Sequence, residues 1–154
     1  GLLHDVGYSR PFESEGSWLE HGRVSAQIAR PFLEQLDLPP GQVQEICYGI
    51  AIHVDGKADF PGEATAFALS IGDADDVDRF DAYRIYDGMR FADFHNLKIE
   101  KKRIWLLEQL DWISRRLEGK AGTETARQMI AERLLYQRQY YEKVLEQLER
   151  SESI

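Results

Sequence analysis

The sequence has few of the residues that typify secreted, membrane or nucleic-acid-binding proteins. It has a single cysteine, Cys47, among 154 residues. This excludes an intramolecular disulfide and is typical of a reducing compartment. Because Cys47 lies in an apolar segment, we expect it to be a small buried residue. No apolar run approaches the roughly 20 residues of a membrane-spanning helix, and no signal peptide is visible. The formal net charge of −8 argues against non-specific binding to nucleic acid or anionic membranes. These absences favour a cytoplasmic globular protein.

The alternation of apolar and polar residues that marks a β-strand is also nearly missing. Apolar residues recur instead at the 3.6-residue period of a helix over residues 18–36, 41–53 and about 63–90. A Pro-Pro-Gly cluster at 39–41 separates the first two segments. The sequence therefore predicts an all-α protein.

The last third of the chain predicts a helical hairpin. Gly119 and Gly122 separate two amphipathic arms, and Thr123 is placed to cap the second arm. The predicted apolar stripes consist of Ile104, Leu107, Leu110, Ile113 and Leu117 on the first arm, and Met129, Ile130, Leu134, Tyr141, Val144, Leu145 and Leu148 on the second. We expect one domain over residues 1–154, with a core at about 1–92 and the hairpin at about 94–150. The hairpin could pack on this core or mediate homo-oligomer formation.

The chain begins with the segment GLLHDVG, which has no capping residue before its apolar run. We therefore predict that this segment is the last turn of a helix that starts further upstream in the natural polypeptide, and that Gly7 ends it. Neighbouring helical residues point about 100° apart, so His4 and Asp5 can reach one cation only near a helix end. A histidine–aspartate pair by itself is more often a capping or surface pair.

Five aspartates lie within nine residues at 73–81. They could occupy the first turn of a helix, where the helix dipole favours negative charge. If the helix from residue 63 instead continues through them, they repel one another unless a cation or an arginine offsets their charge. In that case Asp75 and Arg79 share one helix face at i,i+4, as expected of a metal ligand beside a phosphate-binding cation.

The other three histidines are His21, His53 and His95. Taken singly, His21 and His53 are more often ordinary residues near a helix end, and His95 is expected at the surface. Together with carboxylates, imidazoles form a ligand set that favours Mn, Fe, Co, Ni or Zn over Ca.

In order along the chain, the segments GLLHDVG, EHGRVSA, IAIHVDG and DADDVDRFDA resemble the HD-domain superfamily of metal-dependent phosphohydrolases. The segment GTETARQMIAERLLYQRQYYEKVLEQL is similar to the tail of small bacterial HD proteins, so the resemblance extends over nearly the whole chain. It implies an HD-domain bundle of helices around a site for one or two divalent metal ions, for which Mg is a further candidate.

Carried over by position, the resemblance implies that His4 and Asp5 are the metal-binding doublet and that Asp75 is the distal ligand. Asp78 is the alternative if the alignment of the acidic run is shifted. An upstream histidine of the family pattern has no counterpart, because only three residues precede His4. Either this histidine lies in a segment upstream of the chain, or the chain is a degraded copy of the domain. We favour the first explanation and expect the histidine about 25–35 residues before His4, from typical helix and loop lengths.

The resemblance also implies roles for His21 and His53. They match histidines that hold a second metal or contact phosphate in some branches of the superfamily. Asp5 would then bridge the two metals.

The implied function is hydrolysis of a phosphoester or phosphoanhydride bond in a small anionic substrate, with a nucleotide as the main expectation. A metal ion would polarise the phosphoryl group, and Asp5 and Asp75 are the expected catalytic carboxylates. The basic residues expected to offset the charge on phosphate are Arg23, Lys57 and Arg79.

Two other functions stay open. A non-catalytic HD domain could sense a nucleotide or bind a protein partner through the hairpin, and retention of a transition metal would distinguish it from an enzyme. An HD nuclease acting on single strands would need a positive channel, for which a net charge of −8 offers little.

Overall fold

A computed structural model of the chain describes residues 2–11, 17–119 and 121–151. The α-helices in these ranges are α1 (His21–Leu33), α2 (Gln42–Ile52), α3 (Ala66–Asp78), α4 (Ala82–Phe91), α5 (Ile99–Leu117) and α6 (Glu124–Ser151). Short 3₁₀ helices occupy Val6–Ser9, Ser17–Glu20 and Phe94–Asn96. No strand occurs in the described ranges, so the all-α prediction is confirmed.

The chain forms two compact units, Gly1–Asp75 and Asp76–Ile154, which we call the N-terminal and the C-terminal unit. The sequence suggested a boundary between core and hairpin at 92–94. The observed division lies earlier because Phe80, Ile85 and Phe94 are buried in the same core as the side chains of α5 and α6.

The core of the N-terminal unit lies where α1 packs on α2. It consists largely of small and medium side chains, namely Ala26, Ala29, Leu33, Cys47, Ile50, Ala51 and Ile71. The burial predicted for Cys47 is confirmed, since the residue has 0% exposure. Not every apolar residue of the predicted 18–36 segment faces this core, because Phe32 and Leu36 are 61% and 57% exposed.

One long helix over residues 63–90 does not form. Helix α3 ends at Asp78 and α4 begins at Ala82, because Asp81 adopts an extended conformation and its side chain accepts a hydrogen bond from the Ala82 N–H at 2.6 Å. The extended backbone makes Asp81 the N-cap residue of α4. Arg79 therefore lies one residue beyond the end of α3, rather than within one continuous helix as the sequence predicted.

The core of the C-terminal unit is built from larger side chains on α5 and α6. Leu106, Ile113, Leu134 and Tyr141 have exposures of 0–1%. The predicted stripe on α5 is partly wrong, because Ile104 and Leu107 are about half exposed and Leu106 takes the inner position. A helix face buries residues three and four apart, and that face here follows Leu106, Leu110, Ile113 and Leu117.

The predicted cap of α6 is confirmed. The backbone N–H of Ala126 donates to Thr123 Oγ1 at 3.3 Å, which satisfies one of the unpaired donors at the helix start. Among the residues described, no helix is both long and apolar enough to cross a membrane.

Candidate metal centre

The segment at the start of the chain is a turn followed by a 3₁₀ helix, rather than the end of an α-helix. Residues 2–5 form the turn, and Gly7 lies inside Val6–Ser9 instead of ending a helix. Gly1 is outside the described residues. A Cβ on Gly7 would lie 2.6 Å from the His21 carbonyl oxygen, and the Gly7 N–H donates to Ser25 Oγ at 2.8 Å. The glycine thus allows the turn that carries His4 and Asp5 to lie against α1.

A second glycine allows α1 and α2 to approach closely. A Cβ on Gly22 would lie 2.7 Å from the Ala51 carbonyl oxygen and 3.1 Å from His53 Nδ1. Because position 22 has no side chain, the first turn of α1 lies on the end of α2. As a result, the Nε2 atoms of His21 and His53 are 3.2 Å apart.

The other ring nitrogens of these histidines determine their tautomers. His21 Nδ1 lies 2.6 Å from the Trp18 carbonyl oxygen, and His53 Nδ1 lies 2.6 Å from the Ile50 carbonyl oxygen. A carbonyl oxygen only accepts hydrogen bonds, so each Nδ1 carries the hydrogen. In the neutral rings both Nε2 atoms then present lone pairs, and their 3.2 Å contact is not a hydrogen bond between neutral rings.

Asp5 adds a third acceptor at the same point. Its Oδ1 atom lies 3.1 Å from His21 Nε2 and 3.5 Å from His53 Nε2. Three lone-pair atoms at these distances repel one another unless a proton or a metal cation lies between them. Ligand atoms at about 2.0–2.1 Å from a tetrahedral metal lie about 3.4 Å from each other, so the donor set fits a transition-metal ion.

A second group of possible ligands lies beside the first. It consists of His4, His53 and Asp75, whose ligand atoms lie within 4.8 Å of one another. His4 Nε2 is 3.7 Å from Asp75 Oδ1 and 3.5 Å from Asp5 Oδ2. His53 belongs to both groups, and the two oxygens of Asp5 face different histidines. This is the arrangement in which Asp5 could bridge two ions.

Burial prepares the histidines to act as ligands. The His21 and His53 side chains are 3% and 1% exposed, whereas the Asp5 side chain is 48% exposed. Desolvation lowers the pKa of His53, and the neighbouring His21 and His4 lower it further, although the hydrogen bond to Ile50 opposes the shift. His53 is therefore neutral near pH 7, the form that binds metal. Asp5 lies at the open side of the centre.

All five sequence-predicted metal ligands thus lie together in the N-terminal unit. The three basic residues predicted to bind phosphate have different surroundings from one another. Arg23 Nη1 donates to both carboxylate oxygens of Asp55, at 2.7 and 3.0 Å, so this ion pair already offsets its charge. Lys57 is exposed. Arg79 belongs to the C-terminal unit. His95 is an exposed residue, as predicted, with 79% of its side chain accessible.

Sequence reasoning did not single out two residues near the centre. Asp55 lies two positions after His53 and is the partner of Arg23. Tyr8 lies over His21 with 4.5 Å between ring centroids. The Asp-Gly step at residues 55–56 is a turn signal that could have drawn attention to Asp55, whereas no local pattern indicates the ring contact of Tyr8.

Comparisons with protein-family models, curated proteins and solved structures found no match to this chain.

Proposed function

We propose that this protein is a metal-dependent phosphohydrolase that cleaves a phosphoester or phosphoanhydride bond of a small anionic substrate, with a nucleotide as the best candidate. One observation carries the proposal. Three acceptor atoms, on Asp5, His21 and His53, converge within 3.1–3.5 Å, and His4 and Asp75 extend the set to a second possible ion. The mixed imidazole and carboxylate ligands favour Mn, Fe, Co, Ni or Zn, with Mg as a further candidate.

A divalent ion bound there supplies Lewis-acid chemistry, since it polarises a phosphoryl oxygen and lowers the pKa of water. The protein residues provide the remaining functions. His21 and His53 hold their Nε2 lone pairs in place through the Trp18 and Ile50 carbonyls. Asp5, which is 48% exposed, or the neighbouring Asp75 would take up the proton of the attacking water.

The charge of the N-terminal unit favours cation binding and disfavours a polyanionic substrate. Of the 19 Lys and Arg and 27 Asp and Glu in the chain, four and twelve lie in residues 1–75. Such an excess of negative charge raises the local concentration of divalent cations. It also disfavours a long polynucleotide, which needs a basic track.

Metal analysis and an activity screen together test the proposal. The full natural polypeptide, stripped with chelator, is reloaded with Mn, Co, Ni, Zn or Mg. It is then assayed with nucleoside mono- and triphosphates and with p-nitrophenyl phosphate. We expect at least one transition metal to bind and to support turnover.

The variant His53→Gln should lose metal and activity, because His53 belongs to both ligand groups. Loss of a residue that only supports a metal ligand typically costs about 10–100-fold in metal affinity or activity, so loss of the ligand itself should cost about 100-fold or more. The control His95→Gln alters an exposed ring and should behave as wild type. Metal binding without turnover of any substrate would overturn the enzymatic proposal and favour the non-catalytic nucleotide sensor or partner-binding domain. Failure to bind any metal would overturn both the metal centre and the enzyme.

A further inference from the structure

A cavity of about 760 Å³ lies in the N-terminal unit, and parts of its walls are close in sequence to two of the metal-ligand candidates. Its walls are Glu20, Arg23, Tyr48 and the loop at residues 56–62. Glu20 directly precedes His21 on the chain, and the loop begins three residues after His53. The cavity thus shares its supporting elements with two of the metal-ligand candidates. Its volume is within the range of small-molecule sites.

The loop that forms one wall is held in place by an ion pair. Asp55 accepts hydrogen bonds from the Arg23 side chain and, at 3.1 Å, from the Lys57 N–H. Gly56 has a φ of +72°, a conformation that favours glycine. On the far side of the loop, Gln44 Nε2 donates to the Pro61 carbonyl oxygen at 2.6 Å. The wall is therefore preformed, which lowers the entropic cost of binding a ligand.

The cavity also has a fixed aromatic surface. A Cβ on Gly62 would lie 2.1 Å from Tyr48 Cδ2, so the backbone of the loop lies directly against the ring. Phe60 meets the same ring edge-on, with 6.3 Å between centroids. These contacts restrict the Tyr48 ring and make it a rigid platform for a flat ligand group.

The charged side chains of the cavity determine which hydrogen-bonding groups a ligand needs. Arg23 has Asp55, Glu20 and Asp59 around it at 2.7, 3.6 and 3.7 Å, so its charge is offset. The Glu20 and Asp59 side chains are 62% and 60% exposed. Ionised carboxylates only accept hydrogen bonds. A ligand here must therefore present hydroxyl or amino donors to Glu20 and Asp59.

We propose that this cavity binds the nucleoside part of the substrate while the phosphate lies at the metal centre, an inference that rests on the proposed function. A nucleoside has a flat ring for Tyr48 and donors for Glu20 and Asp59. Both the base and the ribose could supply the donors. Asp59 and Tyr48 are then specificity residues, because a simple aryl phosphate has no group that reaches them.

The experiment compares substrates that differ only beyond the phosphate. The values of kcat/KM are measured for adenosine monophosphate, ribose 5-phosphate and p-nitrophenyl phosphate in wild type, Asp59→Asn and the control Asp37→Asn. Asp37 is exposed and outside the cavity, and its substitution makes the same change of charge. We expect Asp59→Asn to lower the ratio of kcat/KM for adenosine monophosphate to that for p-nitrophenyl phosphate by about fivefold or more, as loss of a hydrogen bond to a charged group implies. Asp37→Asn should keep the wild-type ratio.

A second pair of variants tests the aromatic surface. Tyr48→Leu removes the ring and should lower the same ratio, whereas Tyr48→Phe retains the ring and should restore most of it. If ribose 5-phosphate shows the Asp59 effect, the ribose supplies the donors. If only the nucleotide shows it, the base does. An unchanged ratio in both Asp59→Asn and Tyr48→Leu would overturn the inference while leaving the phosphohydrolase in place, and absence of turnover of all three substrates would overturn the proposed function.

Discussion

The two units of this protein differ sharply in charge. The N-terminal unit contains four basic and twelve acidic residues, whereas the C-terminal unit contains fifteen of each, so the whole net charge of −8 arises in residues 1–75. Three of the four histidines lie there as well. The acidic excess therefore coincides with the imidazole cluster. A bound cation would offset this repulsion, whereas the charges of the C-terminal unit balance one another.

The two units also differ in the size of the side chains that form their cores. Small residues such as Ala26, Ala29 and Ala51 bring α1 and α2 close together in the N-terminal unit. In the C-terminal unit, the core is formed by large side chains of α5 and α6, such as Leu106 and Leu134. The N-terminal core thus brings polar atoms together at short range, while the C-terminal core stabilises chiefly through apolar burial.

The largest effect is expected where the C-terminal core depends on a single large side chain. Leu134 has 0% exposure, so Leu134→Ala should lower the free energy of unfolding by about 2–5 kcal/mol through lost burial and the cavity left behind. Urea denaturation would measure this change. The matched control is Leu135→Ala on the next residue, which is 47% exposed and should cost far less. Equal losses in the two variants would contradict the packing of α6.

Replacing a glycine by alanine should have opposite effects on stability in the two units. Gly22→Ala places a Cβ 2.7 Å from the Ala51 carbonyl oxygen and should destabilise the protein by about 1–3 kcal/mol, as overpacking does. It should also weaken metal binding, because His21 and His53 move apart. In Gly88→Ala the nearest atom to the new Cβ is Tyr141 Oη at 4.0 Å. This variant should gain about 0.5–1 kcal/mol, since alanine is a better helix former. Thermal denaturation and metal titration would measure both, and a stable Gly22→Ala that binds metal normally would refute the close approach of α1 and α2.

The smallest expected effect is a dependence of stability on pH below about 6.5 that arises from His53 in the N-terminal unit. Desolvation lowers the pKa of His53 in the folded protein, whereas an unfolded chain titrates near 6.5. As the pH falls below about 6.5, the unfolded chain takes up the proton first, so metal-free protein should lose stability until the pH reaches the folded pKa. Urea unfolding followed by NMR signals from α1 and α6 would measure this at several pH values. His53→Gln should flatten the dependence in α1, and an unchanged slope would show that another group causes it.

Local patterns predicted much of the fold. The 3.6-residue periodicity predicted helices, and α2 agrees with this prediction. The residue types also predicted the Thr123 cap and the burial of Cys47, and both are observed. The break between α3 and α4 was missed because the Asp81 cap interrupts a segment whose apolar period continues. The stripe on α5 was shifted because periodicity identifies several overlapping faces, and only packing against α6 selects one.

The sequence by itself determined the helical class and the residue types able to form a metal centre, since periodicity and ligand chemistry are local properties. Only the tertiary structure decided which atoms meet. The contacts at Gly7 and Gly22 bring Asp5, His21 and His53 within 3.1–3.5 Å, and the Trp18 and Ile50 carbonyls turn both Nε2 lone pairs toward that point. The tertiary structure also paired Arg23 with Asp55 and placed Tyr48 and Asp59 beside one cavity. These outcomes depend on distances between residues far apart in the chain, which no local pattern contains.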